Sequence, residues 1–276
     1  MTTLVGYPGP PGTHSAAASV VLAPEGARTV DFPSFTAVVD ATVASEIELG
    51  VLPIESSLIG PVAETHDLLY EAPLSIVREA TLLIRHCLVA RNPRDLAAFT
   101  TLRSHPAAFD QCRDFLSTLP AKQIAAATTA DAARAVAESE DPAEAAIASP
   151  EAAAEYGLEI VADDVGDHPE AYTRFVALAP YTRVDGRHEG WRTALSFVTD
   201  HQPGALHRAL EPFARHELNM VQLVSRPLPR SPWRYRFDVV FDGHPLDGEV
   251  RTALAELRSL TRALRLLGCY PSEEAQ

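Results

Sequence analysis

From Leu4 to Val165 the chain alternates short apolar runs with alanine-rich helical stretches, and this alternation constrains the fold more than any other feature. Strand-length apolar segments separated by helix-length ones are the pattern of parallel strands joined by helical crossovers, which is an α/β domain. Strands are expected over 3–7, 28–32, 50–54, 74–89, 98–103, 123–127, 144–148 and 159–162, with helices starting near Thr13, Ser34, Gly60, Pro106, Thr129 and Pro150. Pro106 and Pro150 follow His105 and Ser149, and proline is favoured at a first helical position because its missing N–H has no intrahelical partner there anyway. The apolar stretch 74–91 is long for one strand. A chain that crosses there from one lobe to a second, and returns along 172–178, accounts for it.

After Ala179 the texture changes. A polar, turn-rich segment at 180–190 reads as a linker, and a strand follows at 192–199. Pro203-Gly204 then opens a helix whose Leu206, Leu210 and Phe213 share a face. After a strand at 219–227, Tyr235, Phe237, Val239 and Phe241 alternate with polar neighbours, as a strand with one buried face requires. A helix carrying Val250, Leu254 and Leu257 on one side and a strand at 262–270 complete the order βαββαβ, the ferredoxin-like unit. The expected architecture is a two-lobed α/β domain over 1–180 followed by a ferredoxin-like unit over 191–271.

Charge and residue counts exclude several functions. Lys and Arg number 23 against 37 Asp and Glu, a net charge of −14 that disfavours nucleic acid as a partner. Lys122 is the only lysine and sits in a polar connection, which argues against Schiff-base chemistry and pyridoxal phosphate. The three cysteines form no CxxC pair, so neither a disulfide framework nor a cysteine–zinc site is expected, and no other spacing reads as a metal site. No apolar run approaches the ~18 residues of a membrane span, and Met1-Thr2-Thr3-Leu4 has no basic, apolar leader. These features read as a cytoplasmic protein without a cofactor.

Chemistry is expected where strands end. Gly9-Pro10-Pro11-Gly12-Thr13-His14-Ser15, Glu55-Ser56-Ser57, Ser104-His105-Pro106, Thr128-Thr129 and Ser149-Pro150 each place a hydroxyl between a strand end and a helix start. In open α/β sheets such junctions surround the crevice beyond the carboxyl ends of the strands. Free N–H groups and the helix dipole favour an anion there. One hydroxyl alone is explained as an N-cap worth ~1 kcal/mol; several together point to a carboxylate site built without lysine. Thr13, Ser15, Glu55, Ser56, Ser57, Ser104, His105 and Thr129 are its candidates, with Glu55 also a possible general base. On the return strand, alternation puts Thr173 and Phe175 on one face and Arg174 on the other. A threonine hydroxyl there could donate to a leaving oxygen, as a weak acid adequate only for a strongly downhill step. His86-Cys87, inside an apolar run, reads as core.

Taken in order, these segments resemble the monofunctional bacterial prephenate dehydratases. The likeness runs from Gly6 to Pro271 and rests on the glycine segment at 9–15, Val51-Leu52-Pro53-Ile54-Glu55-Ser56-Ser57, Thr65-His66-Asp67-Leu68-Leu69, His86-Cys87-Leu88, Ser104-His105-Pro106 and Thr173-Arg174-Phe175. Pro203-Gly204-Ala205-Leu206, Ser225-Arg226-Pro227 and Leu267-Gly268-Cys269-Tyr270-Pro271 are similar to the ACT domain of that family.

The resemblance implies two lobes of periplasmic-binding-protein type with a cleft between them, metal-free conversion of prephenate to phenylpyruvate, and a homodimer or homotetramer. It implies Thr173 as donor to the departing hydroxyl, with Arg174 and Phe175 beside the substrate. Gly204, Ala205, Leu206, Ser225, Arg226 and Pro227 would bind phenylalanine as effector. The sequence departs from the family pattern at His14 (an aromatic), Ser56 and Ala171 (Asn), Val224 (Glu) and His207 (Val or Leu). Arogenate dehydratase, a non-aromatising prephenate decarboxylase and a catalytically inactive amino-acid-binding regulator are the alternatives.

Overall fold

A computed structural model of the protein describes residues 2–180, 190–229 and 231–271. Of the expected linker, 181–189 lie outside the described residues. The elements run β1 (Leu4–Pro8), α1 (His14–Leu22), β2 (Arg28–Phe32), α2 (Phe35–Val43), β3 (Leu49–Ser56), the short β4 (Gly60–Pro61), α3 (Ala63–Glu71) and β5 (Ser75–Leu83). Next come β6 (Cys87–Ala90), β7 (Thr101–Ser104), α4 (Pro106–Asp110), α5 (Arg113–Leu116), β8 (Lys122–Ala125), α6 (Thr129–Glu138), β9 (Glu144–Ala148), α7 (Pro150–Tyr156) and β10 (Glu159–Ala162). The remainder is β11 (Tyr172–Ala179), β12 (Trp191–Val198), α8 (Ala205–Arg215), β13 (Met220–Pro227), β14 (Tyr235–Asp242), α9 (Gly248–Leu260) and β15 (Ala263–Pro271).

Two mixed sheets result. The larger has the order β13-β14-β12-β15-β5-β11-β3-β1-β2, with β4 against β3; the smaller is β10-β6-β9-β7-β8. The expected single strand at 74–89 is two strands in different sheets. Leu83 still pairs with Tyr172, and the Ile84 N–H donates to the Ala171 carbonyl at 2.7 Å, whereas Cys87 already pairs with Ala148. The chain returns as β11, antiparallel to both β3 and β5. The helix expected from Gly60 starts at Ala63 instead, because Gly60 and Pro61 are held in the ladder opposite Ser56 and Glu55.

On one face of the smaller sheet the core is largely alanine: Ala130, Ala132 and Ala133 of α6 and Ala152 and Ala153 of α7 pack on Ala146 and Ala148. Single methyl groups let these helices lie close to the sheet. Gly12 exploits the same closeness, since a Cβ there would stand 2.8 Å from the Ala152 Cα, and its φ of +83° is one that L side chains rarely adopt. Ser149 Oγ and the Tyr156 hydroxyl donate to the Gly12 and Pro11 carbonyls, at 3.1 and 2.9 Å, and so tie the glycine segment to α7.

The last third buries Phe213, Val250 and Leu257 of its two helices against Leu195, Phe197, Val239 and Phe241 of its strands. Its sheet joins the rest where Gly268 of β15 faces Ile76 of β5, and any Cβ on Gly268 would strike the Ile76 carbonyl. Among the described residues no helix is long and apolar enough to cross a membrane.

Candidate active site

A cavity of about 510 Å³ lies between the two sheets. Five helices begin at its wall: α1 with Thr13, His14 and Ser15, α2 with Ser34 and Phe35, α3 with Glu64, α4 with His105, Ala107 and Ala108, and α6 with Thr128 and Thr129. Each start is shaped by its own sequence. Thr13 Oγ1, Ser34 Oγ and Thr128 Oγ1 accept from the N–H three residues on, at 3.2, 3.1 and 2.9 Å, and His105 Nδ1 accepts from Ala107 N–H at 3.2 Å. A helix start has four N–H groups without intrahelical partners and such a cap satisfies one, so N–H groups are left over for a ligand. Among the described residues the lining has one carboxylate, Glu64, three imidazoles and no Lys or Arg.

Thr173 and Phe175 of β11 both line this cavity, and Arg174 does not. The alternation is fixed from both sides: Thr173 pairs with Ser56 and Leu82, Arg174 with Glu55 and Thr81, and a bulge between Arg174 and Phe175 sets Phe175 opposite Pro53, itself a lining residue. Phe175 is 2% exposed and anchors the strand in the core against Ala18, Leu22 and Ala80.

The structure brings Thr13, Ser15, His105, Thr129, Thr173 and Phe175 together and places the other substrate candidates elsewhere. Arg174 donates to Glu55 at 2.8 Å, so both charges are spent on each other away from the cavity. Ser56 Oγ accepts from the N–H groups of Leu58 and Ile59, closing the turn after β3, and Ser57 Oγ accepts from Tyr172 N–H at 2.9 Å. Ser104 is fully buried and donates to the Ile147 carbonyl at 2.7 Å. Of the effector candidates, Ala205 and Leu206 line a separate cavity of about 160 Å³ with Asp200, Arg234, Tyr235 and Phe237, while Gly204 caps α8 at φ +77°. Ser225, Arg226 and Pro227 lie on β13 outside that cavity, and Arg226 is bound to Asp67 of α3 at 2.6 Å.

His86 is buried, as the sequence reading placed it, and it also lines the cavity together with His14, Gln111 and Glu64. Its Nε2 donates to Gln111 Oε1 at 2.8 Å, leaving Nδ1 as a lone-pair acceptor without a partner. His14 packs edge-on to His86, ring centroids 6.2 Å apart, and its Nε2 has no partner. Burial, with His86 nearby, pushes the His14 pKa down to about 4, and burial likewise lowers that of His86. Both rings are therefore neutral at pH 7. Gln111 could have been found from sequence, since it lies three and four residues beyond Ala108 and Ala107 on the helix that His105 starts.

A family model described as prephenate dehydratase matches residues 5–182. The chain belongs to the prephenate dehydratase family. The relative described as bifunctional chorismate mutase/prephenate dehydratase of Escherichia coli (strain K12) is 36% identical over 239 residues, covering 84% of this chain; the match spans 62% of that protein's length. A solved prephenate dehydratase from Arthrobacter aurescens, in complex with L-Phe, is 33% identical with a TM-score of 0.89, covering 99% of this chain and 92% of its own. A second structure, described as a novel type of quorum quenching acylase, is 32% identical with a TM-score of 0.90, covering 98% of each chain. The prephenate dehydratase assignment agrees with the resemblance drawn from the motifs.

Proposed function

We propose that this chain converts prephenate to phenylpyruvate within residues 1–180, and that residues 191–271 form an ACT regulatory unit. The observation that carries the reading is a threonine hydroxyl, Thr173, in a cavity ringed by five helix starts and free of Lys and Arg among the described residues. The ring carboxylate of prephenate leaves as CO₂, its bonding pair enters the ring, and the 4-hydroxyl departs with one added proton as water. The second carboxylate stays on the product. The helix starts hold the two carboxylates through N–H groups, and Thr173 donates to the departing oxygen. Aromatisation makes the step steeply downhill, so a donor this weak suffices.

The test is incubation with prephenate at neutral pH, followed by a shift to base and detection of the phenylpyruvate enolate. Appearance of the enolate supports the proposal. Non-aromatic keto acid, turnover of arogenate alone, or unchanged prephenate would each replace it, with a decarboxylase, an arogenate dehydratase or an amino-acid-binding regulator respectively. The likeness to the structure described as a quorum quenching acylase favours a second reading, an acylase activity, so hydrolysis of an acylated quorum signal is assayed in parallel.

The reading extends to a homodimer or homotetramer and to phenylalanine as effector. At 224 the chain has a buried valine opposite Asp238 in the ladder and no carboxylate for an ammonium group. Phenylalanine is accordingly expected to bind weakly and to inhibit little. Tight binding by calorimetry with strong inhibition overturns that expectation.

A further inference from the structure

The larger sheet carries a row of alternating charge that no part of the proposed chemistry uses. Arg174 of β11 holds Glu55 of β3 at 2.8 Å and faces Glu79 of β5 at 3.6 Å; Glu79 in turn is bound by Arg192 of β12, which reaches Asp242 of β14 at 3.4 Å. Glu79 is 1% exposed, and the buried Tyr270 hydroxyl completes its shell. The register puts these groups on one face: Arg174 opposite Glu55, Val176 opposite Glu79, and Arg192 opposite both Asp242 and Tyr270. The row thus begins one residue from Thr173, crosses the join at Gly268 and Ile76, and ends in the last third of the chain.

A buried carboxylate deprived of one of its cations is costly and turns to whatever charge is left. For Glu79 that charge is Arg174. The Arg174 Nε is buried without a hydrogen-bond partner, and at 3.6 Å a movement under ~1 Å would make it one, drawing Arg174 off Glu55. On the β3 side the register shifts between Arg174 and Phe175, so beyond this bulge the Arg174–Glu55 pair holds the Thr173 end of β11 to β3, while on the β5 side Thr173 stays in register opposite Leu82.

We propose that Arg192 is a positioning residue for Thr173: by balancing Glu79 it leaves Arg174 with Glu55 and so fixes the segment that presents the hydroxyl to the cavity. The turnover part of the test rests on the prephenate reading; the exchange part does not.

Arg192→Met is made in the full chain, with Arg192→Lys and the double variant Glu79→Gln/Arg192→Met as controls against simple loss of folding. The expected result is a ~10–100-fold fall in kcat with KM within about 3-fold, because a misplacement of this size acts on the reacting geometry. Arg192→Lys should recover part of the loss, and the double variant should outperform Arg192→Met, since it removes the unbalanced charge. Hydrogen exchange without substrate should show the amides of 172–176 opening ~10-fold faster in Arg192→Met. A lowered Tm with unchanged kcat well below melting, or unchanged exchange at 172–176, overturns the proposal. A wild-type protein that leaves prephenate untouched refutes the functional reading instead, and the exchange result alone then decides the role of Arg192.

Discussion

The cavity and the seam between the first two thirds of the chain and the last third handle charge in opposite ways. Around the cavity, among the described residues, no Lys or Arg reaches the lining. Along the seam, Arg236 is fully buried and meets Asp67, Asp238 and the Tyr70 ring, Arg226 meets Asp67, and Arg265 donates to the Tyr70 and Ala72 carbonyls. With 23 basic residues against 37 acidic ones, the buried cations serve assembly, and the anion site is left to helix starts. N–H groups fixed by a helix need no reorganisation when a dianion arrives or when its charge moves, and that is the advantage of such a site during a reaction.

The largest expected effect tests the cavity side of this contrast. Thr173→Ala should lower kcat by about 10²–10⁴-fold while calorimetric binding of prephenate changes little, since a proton donor acts on the leaving oxygen and not on the carboxylates. A loss confined to KM would turn Thr173 into a binding group and remove the division between holding and donating.

On the seam side, Arg236→Met should cost about 3–5 kcal/mol of stability, because it leaves buried Asp238 with less compensation. Its guanidinium donates to the His66 carbonyl at 3.0 Å and to Asp67 Oδ1 at 2.8 Å, both on α3 and neither in the cavity lining. Chemical denaturation should register the loss, with kcat per folded molecule near wild type well below melting. Reduced kcat at unchanged stability would show that the α3 arm of the seam also governs the chemistry; its Glu64 is the residue through which it would act.

The same contrast explains which parts were legible in the sequence. Strand and helix alternation is a local property, so β2 appears where the apolar run placed it and the βαββαβ order was readable from periodicity. The starts of α1, α2, α4 and α6 were readable too, because capping residues announce them; α3, whose Val62 cap offers no side-chain acceptor, starts at Ala63 and not at the expected Gly60. Alternation correctly separated Thr173 from Arg174, but it could not say which partner faces Arg174. That depends on register with Glu55, 119 residues away, and on a bulge that no residue signals. Ser56 and Ser57 failed as cavity residues for a related reason: the polar groups they serve, in the turn after β3 and at the start of β11, compete for the same hydroxyls. For His86 the apolar run correctly reported burial, but its place beside the cavity was not legible, since that depends on Gln111, 25 residues on.

The smallest expected effect concerns the neutral imidazoles. In the unfolded chain His14 titrates near its ordinary value of 6.5, whereas burial holds it to about 4 in the folded protein. Between those values the unfolded state binds the extra proton, so stability is fully present above pH 6.5 and falls as the pH drops toward 4. His86, lowered in the same direction by burial, adds to the slope. His14→Phe keeps a ring against His86 and removes one titrating group. It should therefore flatten the fall in unfolding free energy between these values by about 3 kcal/mol, measured by denaturant titration across the range. Above pH 7 the two proteins should differ only by the packing of the new ring. An undiminished slope in the variant would mean that His14 is already charged in the folded protein, and the cavity would then hold a cation after all.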